Sequence, residues 1–175
     1  DYDKILKKYG ITTSKKATPK KDVYTIASDN SFAPFEFQND NKQFTGIDVD
    51  LLNAIAKNQG FKLKWNFIGF QAAVDSVQSG HADGMMSGMS ITDARKQVFD
   101  YGNPYYSSNL TIATSSTDDS IKSWKDLKGK TLGAKNGTAS FDYLNDHAKE
   151  YGYTVKTFTD ATTMYSSLNN GSINA

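Results

Sequence analysis

The run Ser87-Gly88-Met89-Ser90-Ile91-Thr92-Asp93-Ala94-Arg95-Lys96 sets small hydroxyls, a glycine and one arginine within a few residues of each other. Backbone N–H groups, hydroxyls and a guanidinium able to donate two parallel hydrogen bonds are what a carboxylate needs. Thr92 or Asp93 can cap a helix by accepting from its free N–H groups. With Thr92 as the cap, Arg95 falls in the first turn, where its charge opposes the helix dipole, and this points to an anionic partner. The competing reading is a surface arginine paired with Asp93 or Asp100, and the local pattern weighs the two evenly.

Other chemistries find little support. The chain of 175 residues has no cysteine, which removes disulfides, thiol catalysis and Cys-ligated metal. His81 and His147 show no ligand spacing and no nucleophile pairs with either, so the expectation is no enzyme, no metal and no cofactor. A net charge of +1 gives no reason to expect nucleic acid, and no apolar run reaches membrane-spanning length. Aromatic residues make up 13% of the chain, and many fall in the loops that would surround a ligand.

The elements that must position these groups alternate. Val23 to Ser28 reads as a strand, followed by an aromatic-rich loop, Asp29 to Phe37. Asp48 to Gln59 reads as a helix stopped by Gly60, and Phe61, Leu63, Trp65 and Phe67 alternate as a strand does. Phe70, Val74 and Val77 mark a second helix, and Ala82 to Ser87 a third strand. Strand–helix–strand–helix–strand implies a parallel sheet with its ligand crevice at the strands' carboxyl ends, where Asp29, Phe70 and Ser87 to Ser90 fall. A second alternating unit follows: a strand at 110–114, a helical turn near Trp124, a strand from Thr131, and a helix ending at Gly152. Tyr153 to Phe158 is then a strand, Asp160 to Asn169 a helix, and Gly171 to Ala175 the start of another strand. Residues 1–22 carry seven Lys and three Asp and read as a short amphipathic helix (1–10) and an exposed linker (11–22). From the residues alone, Phe32 and Phe70 read as core aromatics, Asp29 as a turn cap and Lys135 as a solvated loop cation.

Ala27-Ser28-Asp29-Asn30-Ser31-Phe32-Ala33-Pro34-Phe35-Glu36-Phe37 and Gly46-Ile47-Asp48-Val49-Asp50-Leu51 are similar to blocks of the polar amino-acid-binding proteins of ABC importers. So are Ser87 to Lys96, Asn103-Pro104-Tyr105-Tyr106, Asp126 to Lys130 and Lys135-Asn136-Gly137-Thr138, in the family's order. The nearest resemblance is to glutamine-binding domains fused in tandem to the permease in Gram-positive bacteria. It implies an α/β, two-lobed, periplasmic-binding-protein-like type II fold, each lobe a mostly parallel sheet flanked by helices. Residues 1–10 would be the tail helix of a preceding domain, 11–22 a linker, 23–108 lobe one, and 109–175 lobe two, cut before its end.

The resemblance also implies roles. Arg95 would clamp an α-carboxylate, helped by the Ser90 hydroxyl and by N–H groups at Ser90 and Thr138, and the Gly88 carbonyl beside Ser87 would accept from the α-ammonium. Phe32 and Phe70 would sandwich the aliphatic stem, Asp29 would accept from a side-chain amide and Lys135 would donate to it. Ala139 would lie at the pocket edge. The implied function is capture of L-glutamine, with asparagine or glutamate as near alternatives, and its delivery to an ABC permease and its ATPase. The implied location is the extracellular face of the membrane, tethered through the parent polypeptide. A sensor domain of the same fold is the alternative, a small-carboxylate dehydratase a lesser one.

Overall fold

The computed structural model describes residues 18–175. The expected helix at 1–10 and the linker as far as residue 17 lie outside the described residues. The first half is built on β1 (Val23–Ser28), whose apolar residues bury progressively toward its carboxyl end. A two-stranded antiparallel hairpin, β2 (Phe37–Gln38) and β3 (Phe44–Thr45), stands where the sequence reads only as loop and turn. α1 (Ile47–Gln59) follows and ends at Gly60, whose left-handed φ of 82° lets its N–H close back on Ala56 O. β4 (Lys62–Phe67) pairs in parallel with β1 in the register Val23↔Lys62 to Ser28↔Phe67. α2 (Phe70–Gln78) packs Ala73 against Ala27 and Ala82, forming the small apolar centre of this half.

The third strand is shorter than the sequence suggests: β5 is only Gly84–Met85, on the other side of β1, giving the order β4-β1-β5. Beyond Met85 one longer backbone bond, Met86 N–H to Ala27 O at 3.3 Å, is joined by the Ser28 hydroxyl donating to Met86 O at 2.6 Å. α3 (Asp93–Lys96) is a single turn capped by Thr92, whose Oγ1 accepts from Arg95 N–H. The expected strand at 110–114 is not formed: Leu110 is exposed and the segment has no neighbouring strand to pair with among the described residues.

The second half opens with a 3₁₀ turn, Trp124–Leu127, held by Ser123 N–H donating to Asp126. β6 (Thr131–Lys135) pairs in parallel with β7 (Thr154–Phe158), and α4 (Ala139–Tyr151) crosses between them. Leu127, Leu132, Ala134, Leu144 and Tyr153 form its core, and the Tyr153 phenol donates to Leu144 O at 2.7 Å. α5 (Ala161–Asn169) is capped by Asp160, which accepts from Thr163 N–H. The last residues lie along β6, with Asn174 N–H donating to Thr131 O and Gly133 N–H to Ala175 O, both at 2.8 Å. The strand start expected at 171–175 therefore has a partner, although only this short ladder forms.

Gly46 begins α1 at φ 130°, and a Cβ there would lie 2.2 Å from Phe35 O and 2.6 Å from Phe35 C. Backbone cannot yield as a flexible side chain can, so Gly46→Ala is expected to lower stability by about 2–4 kcal/mol. Urea unfolding midpoints compared with the parent chain check this.

Candidate functional site

A cleft of about 1530 Å³ runs between the two halves, larger than one amino acid needs. Phe32, Phe70, Ser87, Gly88, Ser90, Arg95, Lys135, Thr138 and Ala139 all line it. Asp29 does not: its side chain is fully buried, and the Lys135 ammonium, itself 8% exposed, pairs with its Oδ2. Asp29 comes from the end of β1 and Lys135 from the end of β6, so this ion pair bridges the cleft. Asp29 Oδ1 also accepts from Asn30 N–H at 2.8 Å, so the turn-capping reading holds alongside the pairing.

Arg95 is not a surface arginine paired with Asp93, which bonds Lys96 instead at 3.1 Å. Its guanidinium donates to Ser90 O at 3.0 Å and, across the cleft, to Gly137 O at 2.8 Å. The guanidinium lies 5.7 Å from the centre of the Phe70 ring. The Lys135 ammonium lies 5.1 Å from the Phe32 ring centre and 5.7 Å from that of Phe70. Phe70, 5% exposed, thus has two cations within 6 Å of its ring centre, and Phe32 stacks on Phe35. Thr138 serves the fold as well as the cleft: its hydroxyl donates to Lys135 O and accepts from Phe141 N–H, capping α4. The small Ala139 sits beside it at the start of that helix.

Behind the loop at 87–90 lies a group of buried acids that sequence reasoning missed. Glu36 and Asp48 are both fully buried. The Ser87 hydroxyl donates to Glu36 Oε1 at 2.8 Å and accepts from Asp29 N–H at 3.0 Å. Asp48 Oδ2 accepts from Gly88 N–H at 2.6 Å and Oδ1 from the Tyr105 phenol at 2.8 Å. Burial, helped by the nearby charges of Asp48 and Asp29, pushes the Glu36 carboxyl up to about 9 despite the Ser87 bond. Burial and the Asp48 carboxylate likewise hold the Tyr105 phenol well above its ordinary value. The available signal for Glu36 was an acid set between two phenylalanines, Phe35 and Phe37. Asp48 gave none, because an acid in a helix's first turn is ordinary. Gln71 also went unread: a Cβ on Gly137 would lie 1.9 Å from its Oε1, across the cleft.

Residues 24–150 match the bacterial extracellular solute-binding proteins, family 3. The arginine-binding extracellular protein ArtP of Bacillus subtilis is 34% identical over 70% of this chain and 47% of its own length. The chain spans about half the length of the curated relatives it matches. An ancestral arginine-binding protein bound to glutamine superposes with a TM-score of 0.83 at 32% identity, covering 89% of this chain and 68% of that one. Substrate binding domain 2 of GlnP from Lactococcus lactis, in open conformation, is 97% identical over 91% of this chain and 69% of that one, yet its TM-score is 0.55. Near-identical sequences that superpose this loosely differ in how their parts are arranged. The bonds from Arg95 to Gly137 and from Lys135 to Asp29 identify the present arrangement as closed.

Proposed function

The chain belongs to the bacterial extracellular solute-binding proteins, family 3, and from that premise we propose that it captures L-glutamine by closing its two halves, for import through an ABC permease and its ATPase. Lobe one would run over residues 23–108 and lobe two from 109, with the parent polypeptide tethering both outside the membrane. Arg95 takes the α-carboxylate, exchanging its bonds to Ser90 O and Gly137 O for two charge-assisted ones, with N–H groups at Ser90 and Thr138 completing the cradle. The Gly88 carbonyl, brought close by a backbone at φ 50°, receives the ammonium. Phe32 and Phe70 enclose the aliphatic stem, and Ala139 closes the pocket edge.

One observation carries the choice of glutamine: the side-chain end of the cleft is closed by a carboxylate and an ammonium that cancel. A neutral amide can enter such a pair, its NH₂ donating to Asp29 and its oxygen accepting from Lys135. A cationic side chain meets the Lys135 ammonium, and an anionic one meets the Asp29 carboxylate. The matching family and ArtP are solute-binding proteins, and the two candidate acid–base groups, Asp29 and Lys135, are tied to each other.

Calorimetric titration with L-glutamine, against L-glutamate, L-arginine, L-histidine and L-cystine, tests this. One-to-one binding with glutamine strongest is expected; a stronger cationic or anionic ligand would overturn the amide assignment while leaving Arg95 in place. Closure itself is checked at Gly137, where φ is 70° and the space for a Cβ is taken by Gln71. Gly137→Ala is expected to weaken glutamine binding only about two- to threefold, because the group it meets is the flexible end of Gln71, while the left-handed backbone costs about 1–2 kcal/mol of stability in the open and closed forms alike. Adding Gln71→Ala should recover the part due to the clash.

A further inference from the structure

We propose that Glu36 is a positioning residue that works as a neutral acid, donating from Oε2 to the Asp48 carboxylate and so fixing the Ser87–Gly88 loop against Tyr105. The inference rests on the reading of that loop as ligand contact. Glu36 Oε2 is buried and has no hydrogen-bond partner as a carboxylate, which is rare for a buried oxygen. A proton on it supplies the missing bond, because Asp48 still has free lone pairs after accepting from Gly88 and Tyr105. The acids that face Glu36, Asp48 and Asp29, favour its neutral form; the Lys135 ammonium is engaged by Asp29, and Ser87 and Tyr105 are uncharged donors.

The geometry makes one connected unit out of four separate segments. Asp29 N–H, Ser87 and Glu36 form one arm; Gly88 N–H, Asp48 and Tyr105 form the other. The Glu36 proton is the link between the arms. Without it two carboxylates repel each other directly behind Gly88, whose carbonyl is the proposed ammonium acceptor. The buried carboxyl near 9 agrees with this and gives the sign of a pH effect. The folded chain keeps a proton that the unfolded chain releases near 4.5, so stability falls as pH rises from about 4.5 to about 9 and levels off above.

The test compares the protein with Glu36→Gln and Glu36→Ala, by hydrogen exchange at Gly88 N–H, urea unfolding from pH 5 to 10, and glutamine titration. Glutamine at position 36 keeps a neutral donor and acceptor without an ionisable proton. Expected results are Gly88 protection retained in Glu36→Gln and lost in Glu36→Ala, and a fall in stability with pH that disappears in Glu36→Gln. Glutamine affinity at pH 7 should stay within about threefold in Glu36→Gln and fall about tenfold in Glu36→Ala. Equal damage by both substitutions, or an unchanged pH slope in Glu36→Gln, overturns the proposal. If the unaltered protein fails to bind glutamine while Gly88 protection follows the expected pattern, the neutral-acid link stands and the glutamine reading falls.

Discussion

Replacing Arg95 with alanine is expected to reduce amino-acid affinity about 100-fold or more, the largest effect of any single change in the cleft. Losing one member of a desolvated charge pair costs about 2–5 kcal/mol, because the other charge is left without a partner. Before the carboxylate takes it, the Arg95 guanidinium bonds Gly137 O in the opposite half, so the substitution also removes one contact between the halves. Arg95→Lys should fall between, at about tenfold, since a lysine keeps the charge but gives up the two-pronged donor. The folded state should be little affected, because Arg95 is only partly buried and its helix has only four residues. Titration against glutamine with parallel urea unfolding separates these effects. Unchanged affinity in Arg95→Ala would place the carboxylate elsewhere.

The elements with regular periodicity were legible in the chain. Val23–Ser28, the alternating strand at 62–67 and the helices ended by Gly60 and Gly152 all form where composition and caps place them. What failed was the strand at 110–114, because an apolar run becomes a strand only when a partner lies beside it, and none does among the described residues. The hairpin at 37–45 was hidden because two residues per strand carry no period. At the site, nine of the ten residues expected from the resemblance line the cleft, and the resemblance assigned each of them a contact with a ligand. Groups that face each other left less trace. Glu36, Asp48 and Tyr105 lie far apart in the chain, and only the fold brings the two acids within reach of one proton. Their cost is invisible in a sequence, where an acid is assumed to be solvated.

In the closed arrangement the cations of the cleft are bonded to protein. Arg95 and Lys135 are not held open for a carboxylate and an amide; each is bonded to protein across the cleft. A ligand that enters must replace these bonds with better ones, and only the difference favours the closed state. On the proposed reading, an uncharged side chain is taken between two groups of opposite charge. In the closed arrangement the Lys135 and Asp29 charges satisfy each other, so neither is left buried alone.

Lys135→Met is expected to shift the ligand-free protein open and to weaken glutamine binding about 30-fold or more. Removing the ammonium leaves the Asp29 carboxylate fully buried without its counter-charge, which costs about 3–5 kcal/mol if the halves stay together. Separating them lets water reach Asp29 at less cost, so the change should register as a larger radius of gyration rather than as unfolding. Asp29→Asn acts in the opposite sense on selectivity. It leaves the ammonium as the sole charge at the side-chain end, so glutamate should gain on glutamine about tenfold or more in relative affinity. The double substitution should restore closure in part, because neither charge is then stranded, while leaving glutamine and glutamate weakly distinguished. Small-angle scattering without ligand and paired titrations with the two amino acids measure both effects. A glutamate-to-glutamine ratio unmoved by Asp29→Asn would mean that the side chain is read elsewhere in the cleft, and that the Asp29–Lys135 pair serves closure alone.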